Sequence, residues 1–314
     1  MKIAFLFPGQ GSQAVGMGKQ FAAGSPVAAA IWREADDALG FPLSRLCFEG
    51  PEDTLALTVN TQPAILTASV AAAAVLGERG FTPDLCAGHS LGEYSALVVA
   101  GALGFSDAVR LVRRRGEFMQ DAVPVGTGAM AALLGIDVEA AEKACAEAAQ
   151  GEVVNIANIN SPGQIVIAGH GAAVERALAI ARALGAKQSV LLRVSAPFHS
   201  ALMKPAADRL AAELEGVAVR APRVPVARNV DAGLTTTADD VKPYLIRQVA
   251  SPVRWTACVA ALAREGATVW LEVGPGRVLS GLLKRTIDGA RAHAVEDPAS
   301  LERAAAVLGG RPAS

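Results

Sequence analysis

The apolar positions of this chain change period several times, and each change marks an element. Ile3-Ala4-Phe5-Leu6-Phe7 is a continuous apolar run stopped by Pro8-Gly9, which predicts a buried first strand. Helical spacing follows over 26–39 and 61–77. After Pro83 the run Leu85-Cys86-Ala87-Gly88 predicts a second strand, and residues 91–103 return to helical spacing. A further helix is predicted over 106–122. One of its faces holds Ala108, Leu111, Val112, Arg115, Met119 and Ala122, so Arg115 interrupts an apolar stripe, while Arg110, Arg113, Arg114, Glu117 and Asp121 take the polar side.

From residue 126 the order is strand (128–135), helix (138–149), two strands (153–159, 164–168), helix (172–184) and strand (188–194). The turn signal Asn160-Ser161-Pro162-Gly163 joins the middle strands. This βαββαβ order is that of a ferredoxin-like unit. Placed at 126–196, it interrupts a larger domain made of 1–125 and 197–314. The second part is expected to carry strands at 224–230 and 267–273, helices at 240–249 and 252–263, a helix after Gly274-Pro275-Gly276, a short segment at 290–295 and a last helix from 299. The tail 309–314 is expected to be loose.

Where the second strand gives way to a helix, Gly88-His89-Ser90-Leu91-Gly92 places one serine between two glycines, the pattern of a nucleophile elbow. The glycines leave room for a tight turn against neighbouring backbone. Ser90 then presents its hydroxyl with a helix N-terminus behind it, and amides starting with that of Leu91 face an oxygen that becomes negative. The fold class expected is α/β: an α/β-hydrolase-like large domain with a central, mostly parallel sheet and an inserted ferredoxin-like small domain.

Composition narrows the class. Hydrophobic residues are 52% and aromatics only 4%, so the core must be built from Ala, Val and Leu, as in helices packed on a buried sheet. A net charge of -1 gives no footing for nucleic acid or a membrane surface. Cys47, Cys86, Cys145 and Cys258 form no C-x-x-C pair, which argues against a zinc site and fits a reducing cytosol. The longest lipophilic stretch, 64–76, is shorter than the ~20 residues that span a bilayer and reads as a buried helix.

Other residues qualify as partners of Ser90. The loop Pro8-Gly9-Gln10-Gly11-Ser12-Gln13 lacks the features of a phosphate cradle but could supply a second oxyanion donor from the Gln10 amide; an ordinary tight turn explains it equally well. An inward Arg115 needs an anion: an internal Asp or Glu, or a substrate carboxylate held in its fork. Of four histidines, His89 adjoins Ser90 and should point away from it, His170 lies in the small domain, and His293 lies among charged residues. His199, on a strand-to-helix loop past the insertion, remains as the base, with a structural or surface histidine as the alternative. Gln248 lies on the apolar face of its helix, as a site-ordering amide or as a satisfied core residue.

Together, Pro8-Gly9-Gln10-Gly11-Ser12-Gln13, Gly88-His89-Ser90-Leu91-Gly92-Glu93-Tyr94, Arg115-Gly116, Pro197-Phe198-His199-Ser200 and Gln248-Val249-Ala250-Ser251-Pro252-Val253 resemble the malonyl-CoA:acyl carrier protein transacylase family along nearly the whole chain. The resemblance implies a malonyl ester on Ser90, His199 as its base and Arg115 on the malonate carboxylate. It further implies an oxyanion hole of the Gln10 and Leu91 amides, and a histidine oriented by a backbone carbonyl near Gln248. Phe198 matches the malonyl-selecting form, since its ring would crowd an α-methyl group. The small Ala250-Ser251 pair departs from the larger polar residues expected there. No metal or cofactor is implied; the partners are malonyl-CoA and acyl carrier protein, the latter received by a basic patch for which Arg113, Arg114, Lys284 and Arg285 are candidates. The expected setting is a cytoplasmic monomer in fatty acid biosynthesis. A polyketide or malonate decarboxylase acyltransferase, a serine hydrolase of acyl thioesters and a non-catalytic carrier-docking module are the competing readings.

Overall fold

The computed structural model describes residues 1–124, 126–192, 194 and 196–309. Its larger sheet contains β1 (Lys2–Phe7), β2 (Leu85–Gly88), β7 (Val226–Ala227), β8 (Leu234–Thr235), β9 (Ala267–Val273) and β10 (Ala292–Val295), in the order β10-β9-β1-β2-β7-β8. All pairings are parallel except β7 with β8. The smaller sheet contains β3 (Gly128–Leu134), β4 (Val154–Ser161), β5 (Gln164–His170) and β6 (Gln188–Leu191), in the order β4-β5-β3-β6 and antiparallel throughout. That order, with a helix in each crossover, is the ferredoxin-like arrangement.

The helices are α1 (Lys19–Gly24), α2 (Pro26–Leu39), α3 (Leu43–Glu49), α4 (Glu52–Ala56), α5 (Thr58–Glu78), α6 (Gly92–Val99), α7 (Phe105–Asp121), α8 (Val138–Ala149), α9 (Gly171–Ala183), α10 (Lys204–Glu215), α11 (Val241–Val249), α12 (Trp255–Arg264), α13 (Val278–Thr286) and α14 (Pro298–Leu308). Side chains of β1 alternate between two cores. Ile3, Phe5 and Phe7 join α2, α5 and α7 on one face, and Ala4 and Leu6 join Trp255, Val259 and Leu283 on the other. A third core fills the space between α8, α9 and the small sheet. The two sheets are tied by backbone: the Val253 N–H donates to Ala157 O, and the Ile159 N–H to Val253 O.

Several expectations are corrected. The strand predicted over 224–230 is only Val226–Ala227, because the chain turns at once: Arg228 N–H bonds Gly233 O, and Asn229 is drawn behind the elbow. The helix predicted to 103 stops at Val99, followed by Gly101 in the left-handed region (φ 80°). The helix predicted from 252 starts at Trp255, since Val253 is committed to the bridge with β4. The final strand of the small sheet ends at Leu191. Helix α5 runs 21 residues, long and apolar enough to cross a bilayer, but it is enclosed between α2, α7 and the sheet. Residues 310–314 of the expected loose tail lie outside the described residues.

In the parallel register Phe7 pairs with Gly88, and the His89 N–H donates to Phe7 O. The loops leaving the carboxyl ends of β1 and β2 therefore emerge side by side, which brings Gln10 next to Ser90 and Leu91.

Candidate active site

Ser90 occupies the turn between β2 and α6 with φ 53°, a left-handed conformation that costs a non-glycine residue energy. Its backbone is clamped on both sides. The Ser90 N–H donates to Asn229 Oδ1 (2.7 Å), Asn229 Nδ2 donates to Gly88 O (2.8 Å), and Gln248 Nε2 donates to Ser90 O (3.0 Å). The flanking glycines are required by space: a Cβ on Gly88 would stand 1.8 Å from the Gly92 carbonyl carbon, and one on Gly92 would stand 2.2 Å from Phe7 O.

His199 also has a positive φ (58°), and its carbonyl accepts from Asn155 Nδ2 on β4. Its Nδ1 lies 3.0 Å from Gln248 O and 3.2 Å from Ser251 O. Carbonyls only accept, so Nδ1 carries the proton and Nε2 presents a lone pair. That lone pair meets Ser90 Oγ at 2.8 Å. Burial, reinforced by the Arg115 charge, lowers the imidazole pKa to about 3, so His199 is neutral at ordinary pH and able to take a proton.

Arg115, 2% exposed, has only neutral partners among the described residues: Nη1 donates to Gln62 Oε1 (2.6 Å), and Nη2 to Gln248 Oε1 (3.0 Å) and Ser90 Oγ (3.1 Å). The internal ion pair weighed from the sequence is not formed there, and burial lowers the guanidinium pKa. A buried cation bonded only to two amides and an alcohol, with its Nε left unpartnered among the described residues, keeps donors and charge available to an incoming anion.

Gln10, Ser90, Leu91, Arg115, Phe198 and His199 all line one cavity of about 240 Å³, together with Met130 and Val166 of the small sheet. The Gln10 and Leu91 amides have no protein acceptor among the described residues, while the Gln10 side chain is held by Thr58 Oγ1 (2.8 Å). Gln248 is fully buried and stands behind the cavity, not in its wall. His89 lines the cavity as well, with its Nε2 directed at Asn160 Oδ1 (2.8 Å) rather than at Ser90. His170 accepts from the Val153 N–H, and His293 lies on β10. Of the basic residues considered for a carrier, Arg113 and Arg114 pair with Glu117, and Arg114 also with Glu213. Lys284 and Arg285 are exposed on α13, whose Val278, Leu279 and Leu282 reach the cavity.

Sequence reasoning missed Asn229, Gln62, Asn155 and Glu93. Asn229 follows a two-residue strand, where no periodicity points to it. Gln62 lies on α5, which is buried nearly all round and gives no polar face to contrast with. Glu93 was visible only as part of the elbow motif.

The acyl transferase domain model matches residues 4–306. The malonyl CoA-acyl carrier protein transacylase of Escherichia coli (strain K12) is 53% identical over 304 residues, 96% of this chain and 98% of that one. An acyl carrier protein S-malonyltransferase from Vibrio cholerae superposes with a TM-score of 0.95 at 51% identity, covering 96% of this chain and 99% of its own. A malonyl-transacylase solved with a type II PKS acyl-carrier protein gives 0.94 at 50% identity, covering 97% and 99%. With an alcohol, an imidazole and a buried guanidinium converging in one pocket, these likenesses have a single reading: the chain belongs to the malonyl CoA-acyl carrier protein transacylase family of acyl transferase domains.

Proposed function

We propose that this protein moves a malonyl group from malonyl-CoA to the phosphopantetheine thiol of acyl carrier protein, through a malonyl ester on Ser90, in fatty acid biosynthesis. The observation that carries the proposal is the position of Ser90 Oγ, 2.8 Å from His199 Nε2 and 3.1 Å from Arg115 Nη2. Ser90 is the nucleophile of the elbow. It gives its proton to His199 Nε2 as Oγ attacks the thioester carbon, and the oxyanion is met by the Gln10 and Leu91 amides. Collapse breaks the C–S bond, and the departing CoA sulfur takes the proton from Nε2. The second half runs the same steps in reverse, with the carrier thiol giving its proton to Nε2 and attacking the ester. Turnover is therefore ping-pong and uses no metal or cofactor. The carbonyls of Gln248 and Ser251 stabilise the transient imidazolium through Nδ1–H, the part a carboxylate plays in other triads.

Arg115 takes the free carboxylate of malonate, and Phe198 limits branching at the α-carbon. The cavity draws its wall from strands of the small sheet and from loops and helices of the rest of the chain, which supports the division into a large domain of 1–125 and 197–314 around a small domain of 126–196. Lys284 and Arg285, beside its rim, are the proposed contacts for an acidic carrier. Four free, buried cysteines suit the proposed cytoplasmic setting.

The test is intact-protein mass measurement after mixing with malonyl-CoA. A malonyl adduct on Ser90 that persists until carrier thiol is added, and is absent in Ser90→Ala, is expected. An adduct lost at once to water would make the protein a thioester hydrolase, and no adduct would leave a docking module. The relative solved with a type II PKS carrier favours a second destination, a polyketide carrier. Transfer rates to purified carriers of each kind separate the two.

A further inference from the structure

Glu93 is a fully buried carboxyl directly behind the elbow that the chemistry above does not use. Its Oε2 accepts from Gln248 Nε2 (2.7 Å) and from the Asn229 backbone N–H (3.1 Å). Those two residues are the ones that hold the reacting groups. Asn229 grips both sides of the turn, at Ser90 N–H and Gly88 O. Gln248 faces Arg115 through Oε1, Ser90 O through Nε2, and the His199 ring through its main-chain carbonyl.

An amide can be turned either way at little cost, and only its neighbours decide which end points where. A guanidinium can only donate and a carboxylate only accept, so Arg115 on one side and Glu93 on the other leave Gln248 one orientation. We propose that Glu93 is a positioning residue for acyl transfer, whose single oxygen sets Asn229 and Gln248 and through them the placement of Ser90, His199 and Arg115. This rests on the role proposed for Ser90. Both bonds end on Oε2, so the requirement is for an acceptor at that point and not for a negative charge. Burial raises the carboxyl pKa to about 7, and a proton on the other oxygen leaves Oε2 free to accept.

The experiment compares wild type with Glu93→Gln, Glu93→Leu and Glu93→Asp, measuring single-turnover acylation by malonyl-CoA and by acetyl-CoA, with circular dichroism for folding. Glu93→Gln, which keeps an acceptor oxygen in place, should stay within about threefold of wild type, because no bond to the reacting groups is lost. Glu93→Leu should acylate about tenfold to 100-fold more slowly at saturating malonyl-CoA, in line with misplaced catalytic groups. Its malonyl-over-acetyl preference should also fall, as Gln248 releases Arg115, an effect that mere loss of stability would not produce. If Glu93→Leu does not fold, Glu93→Asp, with its oxygen withdrawn by one methylene, should show the same slowing. The proposal is overturned if Glu93→Gln is as slow as Glu93→Leu, or if folded Glu93→Leu or Glu93→Asp acylates like wild type. Failure of wild type itself to form the Ser90 ester would instead sink the reading on which the proposal stands.

Discussion

Replacing Arg115 by alanine should separate malonyl from acetyl transfer. In the free enzyme the guanidinium bonds Gln62, Gln248 and Ser90, all neutral, so alanine breaks no direct ion pair, although it removes a charge that favours the ionised form of Glu93. A malonate carboxylate gains charge-assisted bonds worth roughly 1.5–3 kcal/mol each. Water admitted to the shortened site would recover part of two such bonds, leaving a net loss of about 3 kcal/mol, or roughly 10²-fold in kcat/KM for malonyl-CoA. Acetyl-CoA has no carboxylate to lose, so its kcat/KM should change by less than about threefold. Arg115→Lys should fall between, because a compact ammonium cannot serve both amides and a carboxylate at once. The assay is single-turnover acylation of Ser90 followed by mass, with each thioester over a concentration series. Equal loss for the two substrates would refute the carboxylate role and leave Arg115 as an organiser of the serine alone.

With the His199 pKa lowered to about 3, the neutral form that the proposed mechanism uses as base persists as pH falls and is lost only on passing through the folded value. Hence kcat/KM for acylation should be flat from about pH 8 to about pH 5, and an acid limb centred near 6.5, the ordinary histidine value, would show that the imidazole is not held neutral in this way. Gly92→Ala should destabilise the fold by about 3 kcal/mol or more, seen as a lowered thermal midpoint, since its Cβ has only Phe7 and Pro8 backbone to displace. Phe198→Ser should raise the methylmalonyl-to-malonyl ratio of kcat/KM by roughly 10-fold or more, the worth of admitting one methyl group, and an unchanged ratio would move selectivity to another wall of the cavity.

Features written in local sequence were legible, and those arising from long-range convergence were not. The strand-turn-helix around Ser90 follows from two glycines and a change of period, and the inward turn of Arg115 follows from its place on a helical stripe. His199 emerged by elimination, yet what orients its ring, the carbonyls of Gln248 and Ser251, depends on how α11 ends. Gln248 was noticed as a polar residue on an apolar face, but its partners come from α6, α7 and the elbow. The short helices α3 and α4 and the strand β8 carry too few residues for a period to register. The strand expected at 224–230 failed because apolar content says nothing of the side-chain amide that draws Asn229 out of the sheet direction.

His199 is fastened from two sides: Asn155 of the antiparallel sheet bonds its main-chain carbonyl, and the end of α11 bonds its ring. Two packed faces thus act as a vice whose jaws jointly fix one residue. A substitution that loosens the packing under β4, such as one at Ile156, should reach the proposed proton transfer without altering any atom that lines the pocket. Slow variants are therefore to be sought under the antiparallel sheet as well as around the serine.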